Sequence, residues 1–417
     1  MKNLKLILAG VLCVAIALSF SIVGCKTTAA ETTAAETTAA ETTAAETTAA
    51  ETTAAEATAS GSELDPKIAE VWARADQFRI PIASDFKGPN GETVTLDKDS
   101  LKLTVDEVKK IQEGNYKIAT SWNTLDGEYF MAWRQGAIDC AKYLNLDIVA
   151  EASADFDYTK QLSDIESFIP LKPDVIISAP IDPVGSAQAF RPALDAGIKL
   201  AFVSNIPEGY VKGKDYIGVT TSSAHDYGAF AYEMLYDLVG SGGKVASITW
   251  NTVNWYTVYY QKVFYDLMAK GDLNLVQEEG YVDYDDAYKA ANAIILKNPD
   301  IKAMWVDYAT PGQGAINAIK DAGKINDIDI VTGPYDEPTL LSLVSGDVDG
   351  VNGDTTYLVG WDSVLLAAYG ILGKEGPDYA ICPAIKLTLK NIRDAWAAGT
   401  GIPLPESVDK ALKEKGF

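Results

Sequence analysis

The residues of this chain best able to do chemistry stand where apolar runs end. Ser121-Trp122-Asn123 closes one run and Asp126-Gly127-Glu128-Tyr129-Phe130 follows it. Others close on Pro180-Ile181-Asp182, Ser204-Asn205, Thr249-Trp250-Asn251, Asp283-Tyr284, Asp307-Tyr308, Tyr335-Asp336 and Asp354. Carboxylates, amides, hydroxyls and rings recur there, with no arginine. Acids and amides take hydroxyl protons with charge assistance, and rings cover apolar C–H faces. Trp122, Tyr129, Phe130, Trp250, Trp255 and Tyr284 are the candidate faces of a binding site. Asp126, Asn205, Asn251, Asp307, Asp336 and Asp354 are its candidate polar rim. Asp283 and Asp285 read instead as helix N-caps. A neutral sugar or polyol suits the set first, and an amine-bearing or quaternary ammonium solute second. Phosphate and carboxylate ligands suit it poorly, because no Lys or Arg stands at a strand end.

Other chemistries find little support. His225 is the sole histidine, no Cys-x-x-Cys pair occurs, and no nucleophile elbow, phosphate loop or metal motif appears. No catalytic residue, metal ligand or cofactor is therefore assigned. The chain has 35 basic and 58 acidic residues, a balance of −23, which opposes nucleic-acid partners.

The elements that must position these residues alternate regularly from Tyr116 onward. Strand-like runs cover 117–122, 147–152, 174–179, 199–204 and 216–220, then 244–250, 273–282, 303–308, 329–335 and 348–352. Amphipathic helical stretches cover 130–143, 158–168, 229–239, 255–269, 287–296 and 314–322. Strand, helix and strand at this spacing imply right-handed βαβ units and parallel sheets. The expected class is α/β, with two Rossmann-like lobes of five strands each. In such sheets ligands bind outside the carboxyl ends of the strands, where the candidate residues lie. Residues 61–114 form an N-terminal extension packed outside the main fold, with Thr104 as the N-cap of a short helix.

The start of the chain reads as a secretion signal over 1–24: a basic beginning, an apolar core too short to span a membrane, then small residues. Its Ile22-Val23-Gly24-Cys25 ending resembles the bacterial lipobox, which implies lipid on Cys25. Six copies of Thr-Thr-Ala-Ala-Glu follow from Thr27 to Glu56, within a linker of 25–60. They have no aromatic and no branched aliphatic residue to bury and are expected to stay disordered. The lipid and linker imply a domain held near a bacterial membrane on its extracytoplasmic side. Cys140 and Cys382, the cysteines beyond that linker, are expected to be separate buried thiols.

Several further segments resemble the ribose/galactose-type periplasmic binding proteins (periplasmic binding protein type I). They are Tyr129-Phe130 with Gly136-Ala137, the helix around Lys160–Glu166, Pro173-Asp174-Val175-Ile176-Ile177 before Pro180-Ile181-Asp182-Pro183, and Ala196-Gly197-Ile198. Asn298-Pro299-Asp300-Ile301 and the stretch from Gly314-Ala315 to Gly323 complete the series. The resemblance spans about 116–396. It implies two lobes joined by three crossings, 115–222 with 355–383 and 223–354 with 384–400, then a tail of 401–417. It also implies a monomer that delivers its ligand to an ABC transporter permease, although a sensing receptor would have the same lobes. Tyr129 and Phe130 match the family's ring-sandwiching aromatics, Tyr284 a second-lobe aromatic, and Asp354 a hinge-side Gln or Asn. Ser204-Asn205 departs from the usual Asp-Arg pair. The helix after Trp250 carries Trp255, Tyr256, Tyr259 and Tyr260 where an arginine is expected, so donors have given way to acceptors and rings.

Overall fold

The computed structural model describes residues 63–417. The leader, Cys25 and the repeats lie outside them. Thirteen strands form two sheets. In chain order they are β1 (Val94–Leu96), β2 (Lys117–Trp122), β3 (Asp147–Ser153), β4 (Val175–Ser178), β5 (Lys199–Val203) and β6 (Val219–Ser222). Then come β7 (Lys244–Trp250), β8 (Asn274–Tyr281), β9 (Ala303–Val306), β10 (Asp329–Thr332), β11 (Gly350–Asp354), β12 (Tyr379–Cys382) and β13 (Ala384–Leu387).

Lobe one carries the order β1-β12-β6-β5-β4-β2-β3, parallel throughout. Lobe two carries β13-β11-β10-β9-β7-β8, parallel except where β13 runs against β11. In each sheet the order reverses beside the strand that starts the lobe, between β2 and β4 and between β7 and β9. Chain segments leaving such a pair of strands diverge to opposite faces and open a crevice at their carboxyl ends. The two crevices face one another.

Ten strands were expected, and β1, β12 and β13 are the additions. The extension is more integrated than an outer layer: β1 pairs with β12 at the edge of the first sheet. Ile68, Val71, Trp72, Leu101, Leu103, Val108 and Ile111 enter the lobe-one core. Thr104 does cap helix Val105–Gln112, in a reciprocal box with Glu107. Trp72 donates its indole N–H to Asp362 at 3.0 Å, and Arg79 pairs with the fully buried Asp97. Asp97, Asp362 and Cys382 form the one converging group of metal-type ligand atoms among the described residues. Arg79 already supplies positive charge beside Asp97.

The chain crosses between lobes at Ser222–Ala224, Asp354–Thr356 and Cys382–Ala384. Thr355 donates its backbone N–H and its hydroxyl to the Pro383 carbonyl, and the Ser223 N–H donates to the Cys382 carbonyl. The three crossings are thereby knitted side by side. Helix Thr356–Leu372 returns through lobe one, buried from Thr356 to Gly370. It lies against helix Glu128–Tyr143 at two glycines. A Cβ on Gly136 would stand 1.9 Å from the Tyr357 carbonyl oxygen, and one on Gly360 would stand 1.9 Å from that of Trp133. Cys140 and Cys382 are buried and unpaired.

Candidate functional site

A cavity of about 520 Å³ lies between the carboxyl ends of the two sheets. That is within the range of about 300–1,000 Å³ typical of small-molecule sites. Four of the seven strand ends of the first sheet contribute: Asn123 and Asp126–Phe130 after β2, Phe156 after β3, Ala179 after β4, and Ser204 and Asn205 after β5. The second crevice contributes Trp250, Asn254, Tyr256 and Thr257 from β7 and beyond, Tyr281–Asp283 from β8, Tyr308–Pro311 after β9, and Pro334–Asp336 after β10.

Six of the twelve ligand candidates meet at this cavity: Asp126, Tyr129, Phe130, Asn205, Trp250 and Asp336. Five of the others are placed differently, each for a physical reason. Trp122 ends its strand facing the helices and is 1 % exposed inside the lobe-one core. Asn251 turns outward, with its amide against Gly280 of β8, where a Cβ would meet it at 2.5 Å. Trp255 packs on Tyr259 and on Tyr379 of β12, at ring distances of 5.7 and 5.2 Å. Tyr284 is the first residue of helix Tyr284–Lys297, directly after the cavity-lining Asp283. Asp307 and Asp354 are buried beneath the cavity wall.

These two carboxylates hold the aromatic wall. Asp307 accepts from the Trp250 N–H at 3.0 Å, the Gln261 amide at 2.8 Å, the Tyr281 hydroxyl at 3.0 Å and the Tyr260 hydroxyl at 3.2 Å. Burial pushes its carboxyl up to about 6, against the lowering effect of those donors. Asp354 accepts from Tyr256 at 2.7 Å and from Tyr129, across the cleft, at 3.0 Å. Burial pushes it up to about 7, with the two tyrosine bonds opposing and Asp226 adding to the rise. Tyr335 donates to the Asp354 carbonyl. The tyrosine hydroxyls are thus spent on groups behind the wall, and what these residues offer the cavity is ring surface.

Nine lining residues are aromatic. Five of them, Trp133, Phe156, Tyr256, Tyr281 and Tyr335, were missed as site residues by the sequence reading, and Tyr308 was placed only as a neighbour of Asp307. Trp133 was within reach of sequence reasoning, since it stands four and three residues from Tyr129 and Phe130 on one helical face. Its ring lies 5.5 and 5.6 Å from theirs. Phe156 sits in a loop that gives no periodic signal, held at φ 60° after Asp155 at φ 52°. It touches Phe130 and, across the cleft, Trp250.

The acids also differ from expectation. Asp283 stands at an N-cap position but makes no capping bond. Asp336 does cap its helix, accepting from the Thr339 N–H at 2.8 Å. Glu128 reaches from lobe one to accept the Glu337 N–H of lobe two at 2.9 Å. Two residues that line the wall each bury a polar atom without a partner among the described residues. Asn205, 2 % exposed, donates its amide to the Pro180 carbonyl at 2.8 Å and leaves Oδ1 unpaired. The Trp133 indole N–H is unpaired as well. A buried donor or acceptor without a partner costs stability.

Two facing α/β lobes, three adjacent crossings and a cleft walled by rings define a two-lobed solute-binding protein. The comparisons agree: residues 118–375 match the family model described as a periplasmic binding protein domain, and the chain belongs to that family. Its members bind solutes outside the cytoplasm. Among relatives, a rhizopine-binding protein of Rhizobium meliloti, so named provisionally, is 26 % identical over 250 residues, covering 56 % of this chain and 77 % of the relative. A solved ABC transporter solute-binding protein from Agrobacterium vitis, bound to α-D-tagatopyranose, superposes with a TM-score of 0.62 at 22 % identity. It covers 70 % of this chain and 100 % of its own. Another from Bacillus halodurans, bound to myo-inositol, gives 0.60 at 19 % identity, covering 68 % and 98 %.

Proposed function

We propose that this chain captures a sugar or polyol in the inter-lobe cleft and delivers it to an ABC importer, with no reaction on the ligand. The observation that carries this reading is the cavity itself: a space walled by nine aromatic residues, with Asn123, Asn205, Asn254 and Thr257 among them. Rings cover the C–H faces of a saccharide, and Asn123, Asn205, Asn254 and Thr257 meet its hydroxyls. The relatives that bind tagatose and myo-inositol support the ligand class. Trp122, Trp255 and Asn251 have no direct part in this reading, while Asp307 and Asp354 act by holding the rings.

The proposed location is the extracytoplasmic face of a bacterial membrane. Lipid on Cys25 anchors the chain and the Thr-Thr-Ala-Ala-Glu repeats space it, and it works as a monomer on a permease. Thermal shift of the full mature chain against ribose, allose, tagatose and myo-inositol tests the ligand class. A ligand that binds only the folded state raises the melting point by mass action. A rise that disappears in Tyr129→Ala or Asn205→Ala is expected, and no rise with any sugar or polyol would sink the reading. Metabolic labelling with palmitate, lost in Cys25→Ser, tests the anchor.

A further inference from the structure

Charge in the cleft has one sign. Lobe one brings Asp126 and Glu128 to the cavity, lobe two brings Asp283 and Asp336, and no Lys, Arg or His lines it. Carboxylates on two bodies that close on one another repel, the more so as water leaves. Glu128 shows the effect. Burial raises its carboxyl, and the charges of Asp336 and Glu337 across the cleft raise it further, against the lowering by the Glu337 N–H. Helix N-termini engage Glu128 and Asp336. Asp283 has no such engagement, and both it and Asp126 are exposed. A neutral ligand leaves this repulsion in place, whereas a cation between the lobes removes it.

Two independent features point the same way. Tyr129 and Tyr256 donate their hydroxyls to Asp354 and Tyr281 donates to Asp307, which enriches ring density. Electron-rich rings attract cations through their faces. Asn205 lines the same wall, and with its amide N–H spent on the Pro180 carbonyl the buried Oδ1 is its one polar side-chain atom without a partner among the described residues. An ammonium or a hydroxyl can donate to it, and a carboxylate or phosphate cannot.

The geometry points to a ligand that carries a protonated amine on a polyhydroxylated ring, an amino sugar or amino polyol. Its cation lies between the carboxylates of the two lobes and serves as the counterion of the closed state. This inference rests on the sugar or polyol reading above and narrows it.

Calorimetry on the full mature chain at near-neutral pH tests it with matched pairs that differ only in amine against hydroxyl. The pairs are D-glucosamine and D-glucose, D-galactosamine and D-galactose, and D-mannosamine and D-mannose, and tetramethylammonium serves as a cation without ring stereochemistry. At least one amine is expected to bind about tenfold or more tighter than its hydroxyl partner, the difference one charge-assisted contact provides. Tetramethylammonium is expected to quench tryptophan emission at millimolar concentration. In the doubly substituted Asp126→Asn, Asp283→Asn chain, with folding checked by circular dichroism, the amine preference is expected to fall about tenfold. Equal or tighter binding of the neutral partners would overturn the cation and leave the sugar reading standing. A preference unchanged in the double variant would overturn the counterion role. Silence from every pair, from tetramethylammonium and from the polyols would overturn both readings.

Discussion

Asp307 and Asp354 look alike in sequence, each an acid closing a strand-like run, yet the structure uses them differently. Asp307 stands just past β9, and all four of its donors, the Trp250 N–H, Gln261, Tyr260 and Tyr281, belong to lobe two. It fixes one wall of the cleft to its own lobe. Asp354 ends β11 at a crossing and accepts one hydroxyl from each lobe, Tyr129 of lobe one and Tyr256 of lobe two. It ties the walls to each other. A buried carboxylate with all its donors in one body is a matter of stability, whereas one shared between two bodies is a matter of how they meet.

The largest effect expected follows from emptying the denser site. Asp307→Ala leaves four donors unpaired in a dry interior, and such losses sum to roughly 3–5 kcal/mol. Urea unfolding is expected to show that loss. A change under about 1 kcal/mol would mean the donors find other partners. Asp354→Ala strands only two hydroxyls, so its stability cost is expected to be smaller. Its loss of ligand affinity is expected to be about tenfold or more, since the tie across the cleft goes with it. An Asp354 variant that unfolds as readily as the Asp307 variant but still binds would reverse the comparison.

Acidity separates the two next. Both carboxyls are raised in the folded chain, so the folded state holds protons that the unfolded state has released. Their contribution to stability is full below about pH 4 and is lost as pH rises, by about 6 for Asp307 and about 7 for Asp354. Between pH 6 and 7 the decline is therefore expected to belong mainly to Asp354, at up to about 1.4 kcal/mol per pH unit. Thermal unfolding across that window is expected to be flatter in Asp354→Asn than in the native chain. An identical slope in the two would remove Asp354 as its source.

How far this arrangement was legible in the sequence depends on what kind of signal each part leaves. The run Lys244–Trp250 and the helix Tyr158–Phe168 match the structure residue for residue, because apolar periodicity fixes long elements. Val94–Leu96 left no such signal, since three residues hold barely one alternation. Strands β12 and β13 were hidden by their position, back to back around Pro383 with no turn between them. At the site, the rule of strand carboxyl ends found Tyr129, Asn205 and Trp250 but could not tell a side chain facing the cavity from one facing the helices. Trp122 and Asn123 are adjacent, and only the second lines the cleft. Asp283, read as a cap, lines the cavity without capping, and Asp336, read as a rim acid, lines the cavity and caps its helix as well. Both stand at N-cap positions, and which carboxylate turns inward to its helix depends on packing beyond its neighbours in sequence.

The smallest effects sharpen the comparison most, because they remove one hydroxyl and leave the carboxylates in place. Tyr281→Phe and Tyr256→Phe each delete one bond to a buried acid, worth about 1–2 kcal/mol. The ring wall remains in both. Tyr281 donates within lobe two, so its loss is expected to lower the unfolding midpoint and leave ligand affinity within about twofold. Tyr256 shares Asp354 with Tyr129. Its loss frees that carboxylate to shift toward lobe one, and affinity is expected to fall several-fold for a similar drop in midpoint. Equal changes in affinity for the two variants would mean that the tie across the cleft carries no more than a bond within a lobe.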